Sequence, residues 1–150
     1  MSGTADTTLT DSAARLRMAI VRTSRRLRQE AAGAAGELTP TSAAALATVE
    51  RHGPLTPSEL AAIERVKRPT ATRTLRVLGE AGLVERTPDP EDGRSALVSV
   101  TAAGRERLRR LRGRKNAYLA RRMRDLPAAD LETLDRAAQV LERILEDERR

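Results

Sequence analysis

Cysteine is absent from the 150-residue chain, and histidine occurs once, at His52. Without thiols there are no disulfides, no thiolate nucleophile and no thiol redox sensor, and a single imidazole leaves almost no transition-metal site. One histidine also restricts acid–base chemistry near neutral pH. Neither a Gly-rich phosphate loop nor a Ser-His-Asp arrangement is present, so neither an enzyme nor a cofactor is expected. Aromatics are reduced to Tyr118, with no Phe or Trp. The core must therefore be built from Leu, Val, Ile and many alanines, a composition that favours helices. No apolar run approaches the roughly 18 residues that a membrane span needs. The opening "MSGTADTTLTD" lacks the basic start and apolar centre of an export signal, so a cytoplasmic protein without a membrane partner is expected.

Charge, in contrast, is abundant and unevenly placed. The net charge is +7, yet residues 102–124 alone carry +9, residues 15–30 carry +5, and residues 125–150 carry −4. Basic and acidic helices in one chain can attract each other or a second copy, and the surplus of positive charge suits a polyanion such as nucleic acid. A solvated arginine-rich surface is the plainer reading of the same numbers.

At this length one compact unit is the expectation. Residues 1–11 read as a disordered lead-in. From Ser12, Leu16, Ile20 and Leu27 fit one helix face to about Ala31, where "GAAGE" stops it. Thr39-Pro40 opens a second helix that Gly53-Pro54 closes. Thr56-Pro57-Ser58-Glu59 has a hydroxyl at the N-cap, proline at the first helical position and glutamate three residues on, a capping box that starts a third helix of about eight residues. Pro69 opens a fourth helix and Gly82 ends it.

The fourth helix lies in "RVKRPTATRTLR", Arg65 to Arg76, with five basic residues, three threonines and one proline. At 3.6 residues per turn, Ala71, Leu75 and Leu78 share one side while Arg73, Arg76 and Glu80 point the other way. Two helices three or four residues apart, the second with a basic outer face, make a helix-turn-helix pattern. "LVERT", "DPEDGRS" and "ALVSVT" then predict a β-hairpin whose polar tip, Asp89 to Ser95, carries Arg94, with Asp92-Gly93 as a turn signal. Thr101 is the N-cap candidate of a long helix marked by Leu108, Leu111, Tyr118 or Leu119, and Met123. Pro127 restarts the chain, and Leu131, Leu134, Ala138, Leu141 and Leu145 follow at coiled-coil-like spacing over about two heptads. Two heptads are too few for a free coiled coil, so this helix must pack within the domain or against a partner copy.

The order of elements, with "LTPSELA", "RPTATRTL" and "AGLVERTPDPEDGRSALVSVTAAG", resembles the MarR family of transcriptional regulators over roughly residues 12–147. The most specific stretch is Gly82 to Gly104. The resemblance implies a mainly α fold with a small β-hairpin: a winged helix-turn-helix at about residues 39–104, inside a domain of residues 12–150, with dimerisation helices at about 12–31 and 105–147. It further implies a homodimer placing two recognition helices in successive major grooves of a pseudo-palindromic operator. Thr70, Thr72 and Arg73 fall on the family's T-x-T-R positions and Arg94 on its wing-tip arginine, with Lys67 and Arg68 at the entrance of the helix. The sequence departs from the family late in that helix, where Arg76 and Val77 replace an acidic residue followed by arginine, and Gly79 replaces a better helix former.

The chemistry fits the placement. Arginine donates two hydrogen bonds to guanine O6 and N7 in the major groove, and threonine pairs with a base or phosphate or meets a thymine methyl. Arg73 is the expected base reader. Lys67, Arg68, Arg76 and the N-terminus at Thr56 to Ser58 are expected on phosphates, and Arg94 in the flanking minor groove. Leu16, Ile20, Leu131, Leu134, Leu141 and Leu145 are the expected dimer seam, with Asp130, Glu132 and Asp135 meeting the basic first helix across it. The resemblance further implies a ligand-responsive repressor, with a small, often anionic or aromatic effector held between the dimer helices and the DNA-binding lobe. Tyr118 and His52 are candidates to line that site, against the plainer readings of packing and capping. The alternatives are a basic helical RNA-binding or ribosome-associated protein and a protein-binding module that kept the winged shape.

Overall fold

Six helices and one hairpin make up the computed structural model, which describes residues 2–31 and 38–147. They are α1 (Ser2–Ala31), α2 (Pro40–His52), α3 (Pro57–Glu64), α4 (Arg68–Glu80), β1 (Val84–Pro88), β2 (Ala96–Val100), α5 (Ala102–Met123) and α6 (Ala128–Asp147). The expected helix stop "GAAGE", residues 33–37, lies outside the described residues.

Helix α1 starts at Ser2, so residues 2–11, read from the sequence as part of a lead-in, are helical. Those residues have poor helix propensity, but adding a residue to an existing helix costs little compared with nucleating one. Leu9 also stands seven residues before Leu16, which prolongs the same apolar face. By its contacts the chain forms two compact units, Met1–Lys115 and Asn116–Arg150, the division falling within α5. In α6, Leu131, Leu134, Val140, Ile144 and Leu145 are exposed.

The core of the first unit sits where α2, α3, α4 and the hairpin meet. Leu46, Val49, Leu60, Leu75, Leu78 and Val98 are almost completely buried there. Helix ends follow the sequence signals. Thr39 caps α2, its hydroxyl accepting from the Ser42 N–H at 3.2 Å. At α3, the Glu59 N–H donates to the Thr56 hydroxyl while the Glu59 carboxylate accepts from the Thr56 N–H, completing the capping box. Helix α4 starts at Arg68, one residue before the expected Pro69, because proline fits the second helical position as well as the first. Its C-terminus closes in a Schellman motif: Leu83 N–H bonds the Leu78 carbonyl and Gly82 N–H the Gly79 carbonyl, each at 2.9 Å. Gly82 has φ 70°, a left-handed conformation that side chains disfavour.

The hairpin is antiparallel, pairing Val84 with Val100 and Arg86 with Val98. Leu55, between α2 and α3, adds a bridge to it: its N–H donates to the Val98 carbonyl at 3.1 Å and its carbonyl accepts from Val98 at 2.8 Å. No described helix is long and apolar enough to cross a membrane.

Candidate nucleic-acid interface

Helix α4 is amphipathic in the expected sense. Ala71, Leu75 and Leu78 are buried, and Pro69, Arg73, Arg76 and Glu80 form the opposite, exposed ridge. Lys67, Arg68, Thr70 and Thr72 are exposed as well. Thr74 is half-buried, and its hydroxyl donates to the Thr70 carbonyl at 3.0 Å, so it belongs to the helix more than to the surface.

The two outward arginines differ. Among the described residues Arg73 has no ion-pair partner, whereas the Arg76 guanidinium lies 2.8 Å from the Glu80 carboxylate, one turn further along the same ridge. Sequence reasoning placed Glu80 on this side of the helix but gave it no role.

The turn entering α4 holds Arg65 at φ 53°, the one left-handed non-glycine residue among those described. Its N–H still closes α3 onto the Ala61 and Ala62 carbonyls. Its side chain is exposed beside Lys67 and Arg68, which makes a run of three basic groups at the helix entrance.

At the start of α3, Ser58 is exposed, but Glu59 already occupies part of the helix terminus. The Thr56 N–H, and after it the Thr56 hydroxyl, hold the Glu59 carboxyl below the usual carboxylate range, against smaller opposing effects of desolvation and then of the Asp89 charge. A phosphate at this terminus would meet that negative charge.

The wing is held by its own backbone. Asp89 N–H bonds the Ser95 carbonyl at 3.1 Å, and Ser95 N–H the Asp92 carbonyl at 2.9 Å. The Asp89 and Asp92 carboxylates accept from the N–H groups two residues on, Glu91 and Arg94. These are Asx turns, so the Asp-rich loop is a scaffold that presents Arg94. Arg94 shares an open groove with Arg86, Thr87, Pro88, Gly93, Ser95 and Ala96. Arg86 was not singled out from the sequence. Alternation in "LVERT" sets it on the same strand face as Val84, and that is the signal that would have found it.

Away from this surface, His52 is an exposed residue at the end of α2. Tyr118 is half-buried, with the Arg121 and Arg122 guanidinium carbons 6.0 and 5.6 Å from its ring centre. Leu16, Ile20, Leu131, Leu134 and Leu145 are exposed and Leu141 is half-buried.

Comparison with known proteins agrees with this arrangement. Residues 38–96, spanning α2 to the start of β2, match the profile of the MarR family. An HTH-type transcriptional regulator of Mycobacterium bovis is 36% identical over 126 residues, covering 84% of this chain and 87% of that one. A transcriptional repressor of Pseudomonas putida is 29% identical over 93 residues, covering 62% of this chain and 56% of its own. Among solved structures, a transcriptional regulator from Pseudomonas aeruginosa superimposes with a TM-score of 0.80 at 31% identity, covering 92% of this chain and 96% of that one. With the buried and exposed faces of α4 and the hairpin that follows it, these matches settle the family. The chain belongs to the MarR family of transcriptional regulators, and α3, α4 and the β1–β2 wing are its DNA-binding winged helix.

Proposed function

We propose that the protein is a sequence-specific binder of duplex DNA that acts in the cytoplasm as a homodimer on a pseudo-palindromic operator, repressing transcription until a small-molecule effector releases it. The observation that carries the reading is the ridge of α4, where Arg73 and Arg76 point away from the leucines beneath them. A helix of this kind fits the major groove, and an unpaired arginine on it can address guanine. Lys67, Arg68, Thr70, Thr72 and Ser58 supply backbone or base contacts around it, and Arg94, joined by Arg86, reaches the flanking minor groove. One copy offers too few contacts for specific affinity. Exposed Leu16, Ile20, Leu131, Leu134 and Leu145, with Leu141, are the apolar surface by which two copies would join. The relative named a repressor favours repression over activation.

The test is selection of bound fragments from a pool of random duplexes by the purified protein, followed by affinity measurements across a salt series. A recurrent pseudo-palindrome with half-sites about ten base pairs apart is expected, bound by a dimer in sedimentation and with steep salt dependence. Selection of no common sequence, or tighter binding to RNA than to duplex DNA, overturns the reading.

A further inference from the structure

Glu80 gives little to the helix that carries it. It is the last residue of α4, where the helix dipole disfavours a carboxylate. Its partner Arg76 lies four residues toward the N-terminus, the weaker of the two orders for an i,i+4 pair. Both side chains are about 60% exposed, so solvent screens most of their attraction. Gly79 beside it adds flexibility to the same turn, with open space where a Cβ would stand. An acid that serves local stability poorly, yet stands on the ridge that addresses DNA, has its explanation at the ligand surface.

Resting on the reading that this ridge binds duplex DNA, we infer that Glu80 is a specificity-determining residue: it holds Arg76 in an intrahelical ion pair and so withholds that guanidinium from the phosphates of arbitrary DNA. Arg76 then contributes to non-specific binding only by exchanging one anion for another, and Glu80 itself repels the phosphate that would replace it. Arg73, without an acidic partner, is available at every encounter. The pair raises the ratio of specific to non-specific affinity by lowering the denominator, since sequence-independent binding rests almost entirely on phosphate neutralisation.

The experiment measures binding of an unselected 30-base-pair duplex by fluorescence anisotropy across a salt series, for the wild type, Glu80→Gln, Arg76→Ala and the double variant. Glu80→Gln should tighten binding about two- to five-fold, and steepen the plot of log affinity against log salt by about 0.9, one extra phosphate contact. The double variant should lose that gain, because the effect runs through Arg76. Unchanged or weaker binding by Glu80→Gln overturns the inference, as does a double variant that keeps the full gain, which would reflect general repulsion alone. Circular dichroism of each variant separates loss of fold from loss of contact. Duplex binding that Arg73→Ala weakens and Glu80→Gln leaves unchanged removes this inference while sparing the operator reading. A wild type that binds no duplex removes both.

Discussion

Thr101 donates its hydroxyl to the Gly82 carbonyl at 2.7 Å, tying the turn that follows α4 to the residue that precedes α5. The same oxygen accepts from the Gly104 N–H at 3.1 Å, so one side chain caps α5 and anchors the turn after α4. The Thr101 N–H adds a bond to the Leu83 carbonyl at 3.1 Å.

Replacing Thr101 with alanine should therefore cost about 1–2 kcal/mol, the loss of an N-cap together with a tertiary hydrogen bond. Thermal unfolding should show a midpoint lower by roughly 2–8 °C for a chain of this size. Thr101→Ser should recover most of it.

The two glycines within α5 should respond oppositely to alanine. At Gly104 an added methyl would run into the Leu83 carbonyl and the Val100 side chain, the latter at 2.8 Å. Overpacking against backbone of this kind costs about 1–3 kcal/mol. At Gly113 the added methyl meets nothing within 4 Å, and the gain in helix propensity should stabilise by about 0.5–1 kcal/mol. Denaturant midpoints of the two variants, measured side by side, check the sign.

The capping box at Thr56 predicts a pH dependence. Glu59 has its carboxyl held below the ordinary range by the Thr56 N–H and hydroxyl. A carboxyl lowered in the folded state contributes stability that is fully present above its unfolded value of about 4.3 and is lost as pH falls through the folded value. Glu59→Gln should thus be less stable than wild type at pH 7. The gap should begin to narrow near pH 5 and close further into acid. A gap independent of pH would show that the charge of Glu59 contributes nothing.

Arg73→Ala should cost about 1–3 kcal/mol of operator affinity and relax preference at one base pair in each half-site. Arg94→Ala should weaken all sequences more evenly and reduce the salt slope by about 0.9. Competition between selected and scrambled duplexes distinguishes the two patterns.

Much of the winged helix was legible because local chemistry fixes its boundaries. Thr39-Pro40, Thr56 to Glu59, Gly82 and Asp92-Gly93 each mark an end that needs a particular hydroxyl, ring or left-handed backbone, and each stands where expected. The burial of Ala71, Leu75 and Leu78 followed from periodicity alone. What local signals could not supply depends on neighbours. The helical state of residues 2–11 is inherited from the helix that follows them, and the ion pair of Arg76 arises from two side chains choosing each other over solvent. The Arg86 groove exists only once β1 and β2 are in register. The αL backbone of Arg65 carries no sequence mark, since arginine is a poor choice for that conformation.

Leu55 bonds both ways to Val98, and the next residue, Thr56, is the cap of α3. The hairpin is thus stitched to the root of the helix-turn-helix by main chain, which side-chain substitution leaves intact. The wing and the start of α3 are thereby tied at one backbone bridge, Leu55 to Val98.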